Sequence, residues 1–279
     1  MQCINPITIK NKDNSHSHVP CGRCEFCLER KKSEWTIRIT HELKVSFSSY
    51  FITLTYDDEH LPTTYGMPTL NPKDLTLFLK RLRQYNDKVV LGDLKPKIRY
   101  YAVGEYGTKE KRPHYHAIIF NLHKKTVENM RDIWTAGQIY VGDTERGSIH
   151  YVTGYLIDKA NHENEWIYRP FSRMSKGLGL SYVAKNAKFH NQSEKMVKNS
   201  TVTIDGHTHP MPRYYKDKLF SGMDKEILKQ ESIKQADKRE KKERKRINKK
   251  GYDYNSYMQA SVEQRRAIIN KRNKNNRKL

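Results

Sequence analysis

No stretch of this chain is apolar for anything near the length that crosses a bilayer. A signal-peptide core and a lipidation motif are equally missing, so no membrane role is expected. Cysteine is scarce: four in 279 residues, three of them inside one short motif. That excludes a secreted disulfide framework and points to a reducing cytoplasm. There is no Gly-x-x-x-x-Gly-Lys-Ser/Thr loop, so an NTP-driven helicase domain is not expected. Acidic residues are also in deficit. Against 53 Lys+Arg stand 31 Asp+Glu, a formal charge of +22. Such an imbalance points to a polyanionic partner, most often nucleic acid, because neutralising phosphates releases counterions.

What is abundant is tyrosine, 18 residues. A phenol can stack on bases, donate hydrogen bonds or act as a nucleophile. The cysteines open the chain: Cys3, then Cys21-Gly-Arg-Cys24-Glu-Phe-Cys27. Two overlapping C-x-x-C units and a distant fourth thiol suit a tetrathiolate Zn²⁺ site, which would order a segment too polar to bury much. The alternative is four unliganded thiols at the start of a helix. From Glu29 to Leu43 the apolar spacing predicts an amphipathic helix with a basic outer face. Residues 50–56, Tyr-Phe-Ile-Thr-Leu-Thr-Tyr, read as a strand. Asn71-Pro72 is a natural helix start, leading into Leu75, Phe78, Leu79 and Leu82 as a core stripe.

The stretch with most chemistry is Arg112-Pro-His114-Tyr-His116-Ala-Ile-Ile-Phe120. In a strand, residues two apart share a face, so His114 and His116 project together and Tyr115 projects away. In a chain with 12 histidines such a pair alone is more often incidental. Here, however, Lys97–Val103 reads as a preceding strand ending in a turn, Gly104-Glu105-Tyr106-Gly107. A hairpin would bring Glu105 to the pair. Two imidazoles and a carboxylate with open positions suit Mg²⁺ or Mn²⁺ facing a substrate phosphate. The competing reading of Glu105 is a solvated turn carboxylate.

Residues 124–135 suggest a short helix, Gln138–Val141 a strand, and Gly142–Gly147 a loop. A helix over His150–Lys159 would align Tyr151, Tyr155 and Lys159 on one face. That stripe suits a phenol attacking phosphorus beside a cation, or else two tyrosines packing at an edge. Residues 161–180 read as a polar loop bearing Arg169, Arg173 and Lys176, which with Arg112 are candidates for DNA contact. Helical Ser181–Lys188 carries a rival Tyr-x-x-Lys, Tyr182 with Lys185. A hairpin is expected over 200–204 and 208–215, with His207-Thr208-His209 at its turn lacking an apolar strand to hold it. From about residue 222 the chain becomes a charged helix and basic tail.

In this order, Phe51-Ile-Thr-Leu-Thr-Tyr56, Gly104-Glu105-Tyr106-Gly107, Arg112-Pro-His114-Tyr-His116 and Tyr151-x-x-x-Tyr155 resemble the HUH endonuclease superfamily. With Pro20-Cys-Gly-Arg-Cys24 and Pro212-Arg-Tyr-Tyr215, the set is similar to the replication initiation proteins of gokushovirus-type microviruses, over roughly residues 1–220. The resemblance implies an α+β fold, a five-stranded antiparallel sheet flanked by helices. Residues 1–45 would be a cysteine-bearing extension, 46–220 the nicking and joining domain, and 221–279 a basic tail. It implies metal ligands His114 and His116 with Glu105 as third. The nucleophiles would be Tyr151 and Tyr155, assisted by Lys159, with Tyr182 and Lys185 fitting the single-tyrosine variant. The implied activity is metal-dependent nicking of single-stranded DNA at a replication origin through 5′-phosphotyrosine. It would take place in the cytoplasm of a bacterial host, with a host helicase and polymerase. A non-enzymatic basic DNA-binding or packaging protein is the alternative.

Overall fold

The structure, a computed structural model, describes residues 3–90, 96–107, 110–155, 164–192 and 195–276. Among them the chain divides into two compact units, Met1–Gly179 and Leu180–Leu279.

The first unit opens with a two-stranded hairpin, β1 (Ile7–Lys10) against β2 (His16–Val19). The cysteine motif follows and runs directly into α1 (Glu25–Leu43), one turn earlier than the apolar spacing predicts. β3 (Ser49–Thr55) is the expected Thr-rich strand. A small ribbon, β4 (Thr63–Thr64) with β5 (Met67–Pro68), precedes α2 (Pro72–Val89). Asn71 caps α2 by accepting from the Lys73 amide, with Pro72 in the first turn, as the sequence predicts. Then come β6 (Arg99–Tyr106), β7 (Pro113–Phe120), α3 (Lys124–Glu128), α4 (Met130–Ile133), β8 (Ile139–Asp143), α5 (Arg146–Gly154) and β9 (Phe171–Met174).

Five of these strands form one antiparallel sheet in the order β8-β3-β7-β6-β9. The expected α+β architecture is therefore present. β7 is central, and both its faces are covered, which explains its nearly continuous apolar run after His116. Alternation sorts the side chains into two layers. Ile52, Leu54, Ala102, Tyr115, Ala117 and Ile119 pack with Leu75, Phe78, Leu79 and Leu82 of α2 and Ile133 of α4. On the other face Tyr101, Val103, Ile118 and Phe120 pack with Ile39 of α1 and Ile149 and Val152 of α5. Each such buried side chain contributes about 1.5–3 kcal/mol.

Several sequence expectations are corrected. The second strand runs through Gly104 and Glu105 to Tyr106 rather than turning at Gly104. The expected helix over 124–135 is two short helices meeting at Asn129. α5 starts at Arg146, inside the expected loop, and ends at Gly154, so Tyr155 is its C-cap. Within the expected loop 161–180 lies β9, an edge strand paired to β6.

The second unit contains α6 (Leu180–His190), the hairpin β10 (Thr201–Ile204) with β11 (His207–Pro210), α7 (Arg213–Leu219), α8 (Gly222–Lys249) and α9 (Tyr254–Asn276). Asp205 and Gly206 both have positive φ, 49° and 77°, as a tight two-residue hairpin turn requires. The expected strand 208–215 is shorter, because Pro212 opens α7. α8 begins with a capping box between Ser221 and Asp224.

Candidate active site

Register builds the site. Across the β6–β7 pair, Glu105 lies directly opposite His114 and Val103 opposite His116. Across β3–β7, Thr53 lies opposite His116 and Thr55 opposite His114. The two imidazoles, the Glu105 carboxylate and the Thr53 hydroxyl thus share the sheet face that α5 covers. Glu105 is no solvated turn residue; it is 5% exposed.

One carboxylate oxygen collects both rings. Glu105 Oε1 lies 2.7 Å from His114 Nε2 and 2.9 Å from His116 Nε2. The other nitrogen of each ring has a partner on the protein. His114 Nδ1 is 3.1 Å from the Arg112 carbonyl oxygen, and His116 Nδ1 is 2.9 Å from Thr53 Oγ1. A carbonyl only accepts, so His114 carries its proton on Nδ1 and turns the Nε2 lone pair toward a carboxylate that also only accepts. Burial holds the His116 imidazole below its ordinary pKa, although the Glu105 hydrogen bond pulls it up; the neutral ring is the ligating form. The donor set therefore lacks a cation, and Glu105, His114 and His116 form one of two clusters of potential metal ligands among the described residues. Two imidazoles and a carboxylate fit a divalent ion with open positions, and the Arg112 and Thr53 contacts orient the rings.

Aromatic rings wall the cluster. Phe51 stacks on His116 at 5.6 Å, and Tyr155 stacks parallel to it at 5.7 Å, with 10° between the planes. The Tyr151 hydroxyl lies 3.4 Å from His116 Nε2, and its ring meets Tyr155 edge-on at 5.0 Å. Burial raises the Tyr151 phenol above its ordinary pKa, the Tyr155 hydrogen bond lowers it, and the Glu105 charge adds to the rise. Opposite, Tyr115 ties the sheet to α2. Its hydroxyl donates to the Asn71 carbonyl at 2.8 Å, accepts from the Asn71 amide at 3.1 Å and meets Tyr56 Oη at 2.7 Å.

The remaining sequence candidates fall in different places. Lys159 lies outside the described residues. Arg112 is engaged by Asp58 at 2.7 Å and donates to the Tyr56 carbonyl. Arg173, on β9, donates to Thr76 Oγ1 and lies over the Phe171 ring. Arg169 and Lys176 are exposed. Tyr182 belongs to the second unit, where its hydroxyl is 3.1 Å from His190 Nε2, its ring stacks on Tyr215, and Lys185 is exposed one turn along α6. His207 and His209 sit on β11 and belong to neither metal-ligand cluster among the described residues. Cys3, Cys21, Cys24 and Cys27 form the other one. Thr53 and Phe51 were missed as site residues. The Thr-rich strand was visible, but their role depends on the β3–β7 register, which no local pattern gives.

The model of the replication-associated protein ORF2 family matches residues 49–160, the span from β3 past α5 that carries every residue of this cluster. The chain is 34% identical over 250 residues to replication-associated protein VP4 of Bdellovibrio phage phiMH2K, covering 78% of this chain and 76% of that protein. The chain belongs to the phage replication-associated proteins. It is also 32% identical over 209 residues to replication-associated protein ORF2 of Spiroplasma virus 4, covering 67% of this chain and 61% of that protein. To replication-associated protein ORF4 of Chlamydia phage 1 it is 27% identical over 226 residues, or 72% of this chain and 53% of that protein. These matches agree with the resemblance to gokushovirus-type proteins. No solved structure matches. No helix among the described residues is long and apolar enough to cross a membrane.

Proposed function

We propose that this replication-associated protein initiates replication by nicking one strand of single-stranded origin DNA and later rejoining it. The observation that carries the reading is the Tyr151 hydroxyl 3.4 Å from His116 Nε2, beside the convergence of both histidines on Glu105. A nucleophile and a phosphate-binding centre then share one pocket. A Mg²⁺ or Mn²⁺ ion held by Glu105, His114 and His116 supplies charge neutralisation at the non-bridging oxygens of the scissile phosphate.

The chain's own residues do the rest. Tyr151 Oη attacks phosphorus, a P–Oη bond forms and the P–O3′ bond breaks. The departing 3′ oxygen takes up a proton, which leaves a 3′-OH that can prime synthesis. The phosphodiester energy is retained in 5′-phosphotyrosine, so joining needs no nucleotide: a 3′-OH attacks the phosphotyrosine and the phenol leaves. Tyr155, stacked on His116, is placed for a second cleavage and strand transfer. Phe51 and the two tyrosines exclude water from the attacking line. Lys159 is proposed as an assisting cation. Strand separation falls to a host helicase and synthesis to a host polymerase.

The test is a covalent adduct between the protein and an origin oligonucleotide in Mn²⁺, resolved on a denaturing gel. His114→Ala is expected to abolish it, and Tyr151→Phe to lower it at least tenfold. An adduct that survives Tyr151→Phe with Tyr155→Phe transfers the role to Tyr182. DNA binding that is indifferent to EDTA and to His114→Ala, with no adduct, favours the non-enzymatic basic DNA-binding reading.

A further inference from the structure

The second cluster lies in the segment before α1. We infer that Cys3, Cys21, Cys24 and Cys27 bind one zinc ion as four thiolates, and that this ion fastens the β1–β2 hairpin to the first turn of α1.

Distance decides which metal centre fits. The spacing C-x-x-C-x-x-C with a distant fourth cysteine also occurs around iron–sulfur clusters. A cubane, however, interposes iron and sulfide between its thiolates and spreads them apart. Here all four Sγ atoms lie within 4.8 Å of one another. Cys3 Sγ is 3.5 Å from Cys21 Sγ and 3.8 Å from Cys24 Sγ. Four sulfurs at about 2.3 Å from a tetrahedral zinc are about 3.8 Å apart. The cavity is the size of a single ion. None of the four is in a disulfide, and these separations are far beyond a bonded sulfur pair.

The backbone is arranged for sulfur that carries charge. The Cys21 amide donates to Cys3 Sγ at 3.3 Å, and the Arg23 and Cys24 amides donate to Cys21 Sγ at 3.5 and 3.3 Å. Gly22, at φ +74°, makes the turn that aims those amides inward. Cys24 occupies the N-cap of α1 with extended backbone and makes no side-chain capping bond. A Ser or Asp there would normally cap the helix. Cys27 follows in the first turn, where the helix dipole favours negative charge.

The hairpin also needs an anchor. Every residue of β1 is exposed, and a two-stranded hairpin is marginal by itself. The ion would supply the ordering free energy, as in small metal-folded modules. The effect extends along α1, because Thr36 of α1 meets Thr153 of α5 at 3.1 Å between hydroxyls. α5 is the helix that carries Tyr151.

The test uses the full chain with His114→Ala and His116→Ala, so that the sheet site does not contribute metal. Elemental analysis is expected to give one zinc per chain. Co²⁺ replacement should give the strong thiolate-to-cobalt charge-transfer and visible bands of a tetrahedral sulfur site. Cys24→Ser and Cys27→Ser should each lower bound zinc at least tenfold. Iron with acid-labile sulfide overturns the inference, as does a metal-free chain with four titratable thiols. If the serine variants do not fold, the cobalt spectrum of the chain with all four cysteines decides. The result is independent of the nicking reading, since zinc is measured whether or not an adduct forms.

Discussion

Thr53 shows how much of the site rests on a hydroxyl outside the cluster itself. It fixes the His116 ring by its 2.9 Å contact with Nδ1. Thr53→Val keeps the side-chain shape and the β-branched fit to β3 but removes that partner. Loss of such an orienting group typically weakens metal binding about 10–100-fold. Mn²⁺ titration by calorimetry should show that loss with the unfolding midpoint nearly unchanged. Tyr115 predicts the reverse pattern. Tyr115→Phe leaves the Asn71 carbonyl and amide and the Tyr56 hydroxyl short of a partner. Urea unfolding should show about 1–3 kcal/mol of lost stability with an unchanged slope, and Mn²⁺ affinity should hold. A strand that alternates ligand, anchor, ligand separates the two readouts residue by residue.

At the scale of elements, what the sequence makes visible is what is dictated locally. β3, α2 and β7 carry their own signals: a β-branched run, an Asn-Pro start, and a His pair entering an apolar strand. β9 carries none, since Phe171-Ser-Arg-Met174 is four half-buried residues that become a strand only by pairing with β6. The expected turn at Gly104 failed for a packing reason. The glycine sits in β6, where a Cβ would meet the Phe171 ring at 2.8 Å, so it marks a close approach of β9 and not a bend. The same displacement moved Glu105 from a solvated turn to a buried strand. Helix α1 carries the pH dependence. Burial, with Lys44 beside it, depresses His41 to about 4. In the unfolded chain the ring titrates near its usual value of about 6.5. Between these values the unfolded state binds the extra proton. Stability is therefore complete above about pH 6.5 and is lost as pH falls toward 4, by as much as about 3 kcal/mol. His41→Gln should flatten that limb of the stability profile measured by urea unfolding.

For the whole molecule the dominant quantity is charge, +22 over 279 residues. Much of it lies on α8, whose Lys238, Lys241, Lys242 and Lys245 are exposed. Replacing these four with Gln should reduce the slope of log affinity against log salt for a single-stranded oligonucleotide, by about 0.7 for each phosphate that is no longer neutralised. The adduct yield at low salt should stay near that of the unaltered chain. A slope that does not change would move the DNA-binding charge elsewhere.

The central position of β7 has a consequence for assembly. Its amides and carbonyls pair with β3 on one side and β6 on the other, strands drawn from residues 49–55 and 99–106. His114 and His116 therefore meet Glu105 only after synthesis has passed residue 120 and the sheet has closed. The ion there enters a finished protein and can leave it with the sheet intact, so amide exchange along β7 should be slow with or without metal. The four cysteines lie within the first 27 residues. They emerge from the ribosome first, and a zinc ion bound there would be taken up while the rest of the chain is still being made. The two sites would then take their metals at different moments, and the exchangeable one is the one that faces DNA.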